Sequence, residues 1–153
     1  MPADFTKVPH YPQSSPGACL PACLRMVLAG MGQQYNEAQL ADILESYEFG
    51  TPASRVVRLA RLGYQVIYES FSWEQLVTIL QQGHFPIPFV RADFLPWADF
   101  TGFHAVVVVK IEGETVFLHD PAQTNGLLPL EIDGFLMAWE EFDTKVAIIA
   151  PGR

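Results

Sequence analysis

"GFHAVVVVKIEGETVFLHDPA", residues 102–122, sets a valine-rich run and a second β-prone run, "ETVFLHD", on either side of a glycine. Branched and aromatic residues in two such runs around a turn read as an antiparallel hairpin. A three-residue loop, Ile111-Glu112-Gly113, puts the glycine at the left-handed position of a G1 bulge. In that register Lys110 faces Glu114. His104 then faces Asp120 on the same side of the ribbon, Cβ atoms about 4.5–5.5 Å apart. A slip of one residue would send them to opposite faces. The hairpin thus offers either a base with its orienting carboxylate or a buried histidine simply satisfied by an acid. His119 falls on the other face and reads as structural.

Outward from the hairpin, "PIPFVR" (86–91) and "KVAIIA" (145–150) are further strands, with a short helix around Asp133–Phe142 before the last. The first half is mostly helical. One helix runs from about Cys19 to Ala29, stopped by Gly30 and Gly32. Asn36 with Gln39 forms a capping box for a helix over about 37–46. Thr51, Pro52 and Gly63 sit as N-cap, first helical residue and terminator of the next. "YQVIYE" (64–69) is strand-like, and Ser72 caps a helix ending near Gly83. Helices early and strands late predict an α+β fold, a helical layer packed on a mostly antiparallel sheet, in one domain over residues 1–153.

Half of the 153 residues are hydrophobic and 17% are charged, with net charge −8; the pI is about 4.8 and the mean hydropathy +0.17. That balance argues against a phosphate-binding surface and so against a nucleic-acid partner. It leaves enough apolar surface for a groove as well as a core. The N-terminus lacks the apolar region of a signal peptide. No apolar run approaches the roughly 18 residues that span a bilayer. The expectation is a cytoplasmic protein without membrane insertion, its two cysteines kept as free thiols.

Those cysteines, Cys19 and Cys23, stand one helical turn apart in "GACLPACLRM" (17–26). Three readings compete: a metal or redox pair, two core residues, or a nucleophile with a packing neighbour. At i, i+4 their Cβ atoms lie roughly 5–6 Å apart, too far for an unstrained disulfide. Zinc needs about two more ligands. His10, His84, His104 and His119 are scattered, without metal-ligand spacing, so no metal or cofactor is expected. His10 and His84 read as loop or surface residues. Pro21 is tolerated only in a first turn, which fixes the helix start near residue 19 or 20. Cys19 therefore sits at the helix N-terminus, where unpaired N–H groups and the macrodipole favour a thiolate; Cys23 lies deeper. A nucleophile needs a base and an orienting group, which His104 and Asp120 supply. Gln13, on the extended segment six residues ahead of Cys19, offers an amide that could join the Cys19 N–H in an oxyanion hole.

"YPQSSPGACLPACLRMVLAGMG", "FHAVVVV" and "HDPA" together resemble the C39-like peptidase family, papain-like cysteine peptidases best known as leader-cleaving domains of bacteriocin-exporting transporters. The matches are Gln13, Cys19, Cys23, Met26, His104 and Asp120-Pro121, in order and at spacing, and "GFLMAWEEF" with "KVAIIA" extends the likeness to the end. The resemblance implies a papain-like fold in a stand-alone domain. It implies Cys19 as nucleophile, His104 as base and then acid, Asp120 as orienter and Gln13 as oxyanion donor, with Cys23 in the core. It also implies a peptide or protein substrate with small residues before the cut, and the hydrophobic composition suggests a groove that also holds an amphipathic helix upstream of it. The family reads Asp-Cys-Gly where this chain has Ala18-Cys19-Leu20. Leu20 is thus expected to wall the substrate cleft and relax a double-glycine requirement. An acyl transferase or amidase on the same scaffold, and an inactive peptide-binding domain, are the rival readings.

Overall fold

The computed structural model describes residues 8–152. In chain order they form α1 (Cys19–Gly30), α2 (Glu37–Leu44), a 3-10 helix (Ala53–Leu62), β1 (Gln65–Ser70), α3 (Trp73–Gln81), β2 (Ile87–Arg91), a short 3-10 turn (Ala92–Phe94), β3 (Phe103–Ala105), β4 (Val107–Glu112), β5 (Thr115–His119), β6 (Leu128–Glu131), α4 (Ile132–Glu140) and β7 (Lys145–Ala150). Helices precede most of the strands, and every strand pair is antiparallel. The α+β architecture is the one expected.

Both capping boxes form: the Asn36 side chain accepts from the Gln39 N–H and the Ser72 hydroxyl from the Gln75 N–H, each answered by the glutamine side chain. Gly63 closes its helix at φ 93, a conformation costly for any residue with a Cβ. That helix is 3-10 rather than α, and Thr51 does not cap it; its hydroxyl is bonded to Ser46 instead. β6 was not foreseen. It is an edge strand with a proline, Pro129, where a missing N–H costs least.

The strands divide into a four-stranded sheet, β1-β7-β2-β3, and a three-stranded one, β4-β5-β6. The "FHAVVVVKI" run crosses from one to the other. Its start pairs with β2, with Phe89 opposite Ala105 and Val90 opposite His104. Its end pairs with β5. Bulges and bends of this kind are how one strand turns a corner between two sheets.

This corrects the expected hairpin register. Glu112 pairs with Thr115, so the loop is Gly113-Glu114, and Gly113 opens it at φ 58. Glycine at the first loop position is the type II′ arrangement, whose twist suits the flanking strands. Lys110 consequently faces Phe117, and a bulge between Val108 and Lys110 shifts the register again, so that Val107 faces His119. His104 is not a hairpin partner of Asp120 at all.

α1 explains its own position. Arg25 is its single charged residue, and nine of its twelve residues are buried. A helix apolar on nearly every side belongs in the interior. It packs against α2 on one side and against β3 and β4 on the other. Trp139, Phe135 and Phe89 are the largest fully buried side chains of the same core cluster.

Candidate active site

Three chain segments converge at the N-terminal end of α1: the stretch before it, β3, and the loop after β5. Gly17 sets the first. A Cβ there would lie 2.2 Å from the Glu48 carbonyl oxygen, so only glycine lets the chain pass the 47–50 turn and enter the helix. Ala18 supplies no side-chain cap, and no acid sits in the first turn. The N–H groups of Cys19 and Leu20 are therefore left without a side-chain acceptor, and Pro21 has none to offer. Cys19 is 7% exposed, whereas Cys23, one turn on, is wholly enclosed. Burial first, then the nearby Cys19 and Asp120, pushes the Cys23 thiol well above its ordinary range. The two sulfurs are free and inequivalent.

His104, in β3, and Asp120, in the loop after β5, meet: His104 Nε2 is 2.7 Å from Asp120 Oδ1. Both side chains are almost completely shielded from solvent. Asp120 also accepts from Trp97 Nε1 at 2.8 Å on Oδ2 and from the Ala122 N–H at 2.8 Å on Oδ1. Its desolvation, which alone would raise it, is outweighed by these bonds, led by that from His104, and the carboxyl is held below its ordinary range. His104 shows the converse. Burial works against its charged form, but the bond to Asp120 and the adjacent Cys19 prevail and lift it to about 9. Using Nε2 for the carboxylate leaves Nδ1 for the thiol. Phe100 stands edge-on to the imidazole, ring centroids 5.0 Å apart, and limits its rotation.

The segment before α1 is bound to the Asp120 loop by its backbone. The Gln13 N–H donates to the Pro121 carbonyl at 2.7 Å. His10 Nε2 donates to the Asp120 carbonyl at 2.8 Å. His119 Nε2 donates to the Val8 carbonyl at 2.8 Å, and its Nδ1 accepts from the Leu127 N–H at 3.0 Å. His119 is thus structural, as expected, and burial lowers it further from charge. His10 is more than a loop residue. Its ring lies tilted against that of His119, centroids 5.4 Å apart, and it anchors the carboxylate's own peptide. Trp97 and His10 escaped sequence reasoning because their partner, Asp120, is 23 and 110 residues away in the chain. An indole N–H that needs a partner when buried was the one available hint.

Two expected site residues sit differently. Leu20 is 0% exposed and belongs to the core cluster, so it offers no surface to a substrate. At the second position of a helix buried on most sides, its side chain is drawn inward. Gln13 approaches the site, but its Nε2 donates to the carbonyls of Ser15, at 2.8 Å, and Pro16, at 3.2 Å. Both amide hydrogens are thereby engaged, and Oε1 is buried without a partner. Among the described residues no cluster of His, Cys, Asp and Glu could hold a metal ion, and no helix is long and apolar enough to cross a membrane.

The same arrangement of chain occurs in solved structures. A C39-like peptidase from Bacillus anthracis superposes with a TM-score of 0.81 at 16% identity, covering 98% of each chain. The peptidase domain of Streptococcus ComA, a bifunctional ABC transporter of a quorum-sensing pathway, has a TM-score of 0.76 at 20% identity over 94% of this chain and 98% of that one. A double-glycine-motif protease from an AMS/PCAT transporter, solved with its leader peptide, gives 0.75 at 22% identity over 95% and 92%. At these identities the likeness shows a shared fold. No curated protein sequence matches the chain. The family model, however, extends over residues 5–146, from ahead of the Gln13 segment to the last strand, and on that ground the chain belongs to the Peptidase_C39 like family.

Proposed function

We propose that this chain is a cysteine peptidase in which Cys19 is the nucleophile, His104 the base and acid, and Asp120 the orienting group. The observation that carries the reading is the fully desolvated His104–Asp120 bond beside a thiol at an uncapped helix start. His104 first takes the proton of Cys19. The thiolate attacks the scissile carbonyl carbon, and the oxyanion forms against the Cys19 N–H. His104 Nδ1 passes its proton to the departing amine as the C–N bond breaks, leaving a thioester on Cys19. A water then gives a proton back to His104, attacks the thioester and releases the acid. Asp120 keeps its charge throughout and holds the imidazole in position. The substrate is a peptide segment with small residues before the cut, a reading supported by the double-glycine-motif protease among the structural neighbours. A free thiol pair fits a reducing, cytoplasmic setting.

Iodoacetamide at neutral pH separates this reading from that of two core thiols. Cys19 is expected to be alkylated much faster than Cys23 in peptide mapping of the folded protein. Equal rates, or a faster Cys23, would remove Cys19 from the role of nucleophile.

Gln13 completes the oxyanion hole only if one amide hydrogen leaves the Ser15 or Pro16 carbonyl when the oxyanion forms. Its unpaired Oε1 marks this amide as poorly satisfied at rest, which lowers the cost of turning it. Gln13→Ala is expected to lower kcat by roughly 10²–10³-fold, the usual cost of one oxyanion donor, with KM and the melting curve little changed. An unchanged kcat would return Gln13 to a purely structural bond with the 15–16 backbone.

A further inference from the structure

A cleft of about 410 Å³ opens beside the site, walled by residues 13–16, Asp99, Phe100 and Ala122. Its walls touch the machinery at several points. Phe100 lies against the His104 ring, the Ala122 N–H donates to the Asp120 carboxylate, and the Gln13 backbone is bonded to Pro121. In hydrolysis by a thiol, the imidazolium gives its proton to the departing amine. The chain on the leaving side must therefore pass the histidine, and its first side chain meets the wall that Phe100 forms.

The chemistry of that wall is uneven. Phe100, Pro16 and Ala122 present apolar surface, while Asp99 is the one ionisable residue among the described residues that line the cleft. Asp99 is exposed, and among the described residues no ion pair or hydrogen bond engages its carboxylate. Close behind, the N–H and hydroxyl of Ser14 are both given to Glu37, which adds a second negative charge near the rim. Among the described residues no lysine, arginine or histidine lines the cleft to offset these acids. A long apolar stem ending in a cation matches such a wall, with the stem along Phe100 and the head at Asp99. An arginine gains further from the aromatic ring.

We propose that Asp99 and Phe100 form a specificity subsite that selects arginine or lysine as the first residue after the scissile bond. The inference rests on the peptidase reading above and adds to it the charge class of the leaving segment.

The test uses peptides identical except at that residue, which is arginine, citrulline or glutamate. Their kcat/KM values are compared at low ionic strength for the wild type, Asp99→Asn and Asp99→Lys. Because Asp99 is exposed, these variants do not threaten folding. The wild type is expected to favour arginine over uncharged citrulline by roughly two- to fivefold, as one exposed ion pair allows, and glutamate is expected to be poorest. Salt should shrink the ratio. In Asp99→Asn the ratio should fall to about one, and in Asp99→Lys glutamate should overtake arginine. Cleavage of all three peptides at equal rates by the wild type would overturn the subsite alone. So would a preference for arginine that survives in Asp99→Asn. Failure of the wild type to cut any of the peptides would instead overturn the peptidase reading, and the subsite with it.

Discussion

If the proposed roles hold, alanine at His104 or at Cys19 is expected to lower kcat by about 10⁴–10⁶-fold, the usual loss when one member of a nucleophile–base unit is removed. The double variant is expected to be no worse than either single one, because a nucleophile and its base act as a unit. The structural ground is that His104 has two partners and no solvent: Asp120 on Nε2 and the thiol on its other side. The same partners set the pH range. His104 is raised to about 9 when folded, against an unfolded value of about 6.5. The stability it contributes is thus complete below the unfolded value and is lost as pH rises through about 9. Activity should decline as pH rises through about 9, since the departing amine then lacks its proton donor. At the acid end Asp120 is depressed, so its contribution persists above the ordinary carboxyl range and disappears only as pH falls through its lower folded value. A histidine resonance followed by NMR gives an independent reading. Cys19→Ala removes one of the influences that raise His104, so its titration should move down. Wild-type turnover in His104→Ala, or an unmoved titration in Cys19→Ala, would contradict the thiol–imidazole pairing.

Asp120→Ala is expected to be the most destabilising change in the site, by about 3–5 kcal/mol, because it strips a buried pair of one partner. For a chain of this size that corresponds to a fall in Tm of about 6–20 °C. Three donors lose their acceptor at once: His104 Nε2, Trp97 Nε1 and the Ala122 N–H. Asp120→Asn is a finer probe. Its amide oxygen can replace Oδ1 toward His104 and Ala122, which keeps the imidazole oriented and leaves reduced but measurable turnover. Its NH2 must then face the Trp97 N–H, donor against donor, at about 1–3 kcal/mol. Trp97→Phe in the same background removes that conflict, so a double-mutant cycle should show the two changes coupled. Strict additivity would mean that Trp97 does not read the Asp120 carboxylate. Full activity in Asp120→Ala would end its orienting role.

The pairing of His104 with Asp120 shows where legibility ran out. It was foreseen through a hairpin register that does not exist, and the contact arises by another route. The valine run leaves β2 for β5 between Ala105 and Val107, and the loop after β5 brings Asp120 back toward β3. Nothing within a few residues of the run specifies that switch. It depends on which side chains the two sheets bury against α1.

The segment before α1 behaves likewise. The order of Gln13, Gly17 and Cys19 was readable, but the capture of the Gln13 amide by Ser15 and Pro16 depends on a backbone bent to pass the 47–50 turn. Leu20 turned inward for a related reason: solvent exposure at a helix start is decided by what packs around the helix.

By itself, the sequence determined the elements whose physics is local. The capping glutamines answer partners three residues away, Gly63 supplies a left-handed stop, and Pro21 confines the start of α1, which alone distinguishes Cys19 from Cys23. Only the tertiary structure decided the register of the β4–β5 hairpin, the sheet to which His104 belongs, the third bond that Trp97 gives to Asp120, and the use of His10 as an anchor. The division follows from the range of the forces. Caps, turns and glycine conformations are settled by atoms a few residues apart, whereas strand exchange and the satisfaction of a buried carboxylate are settled by burial among residues far apart in the chain.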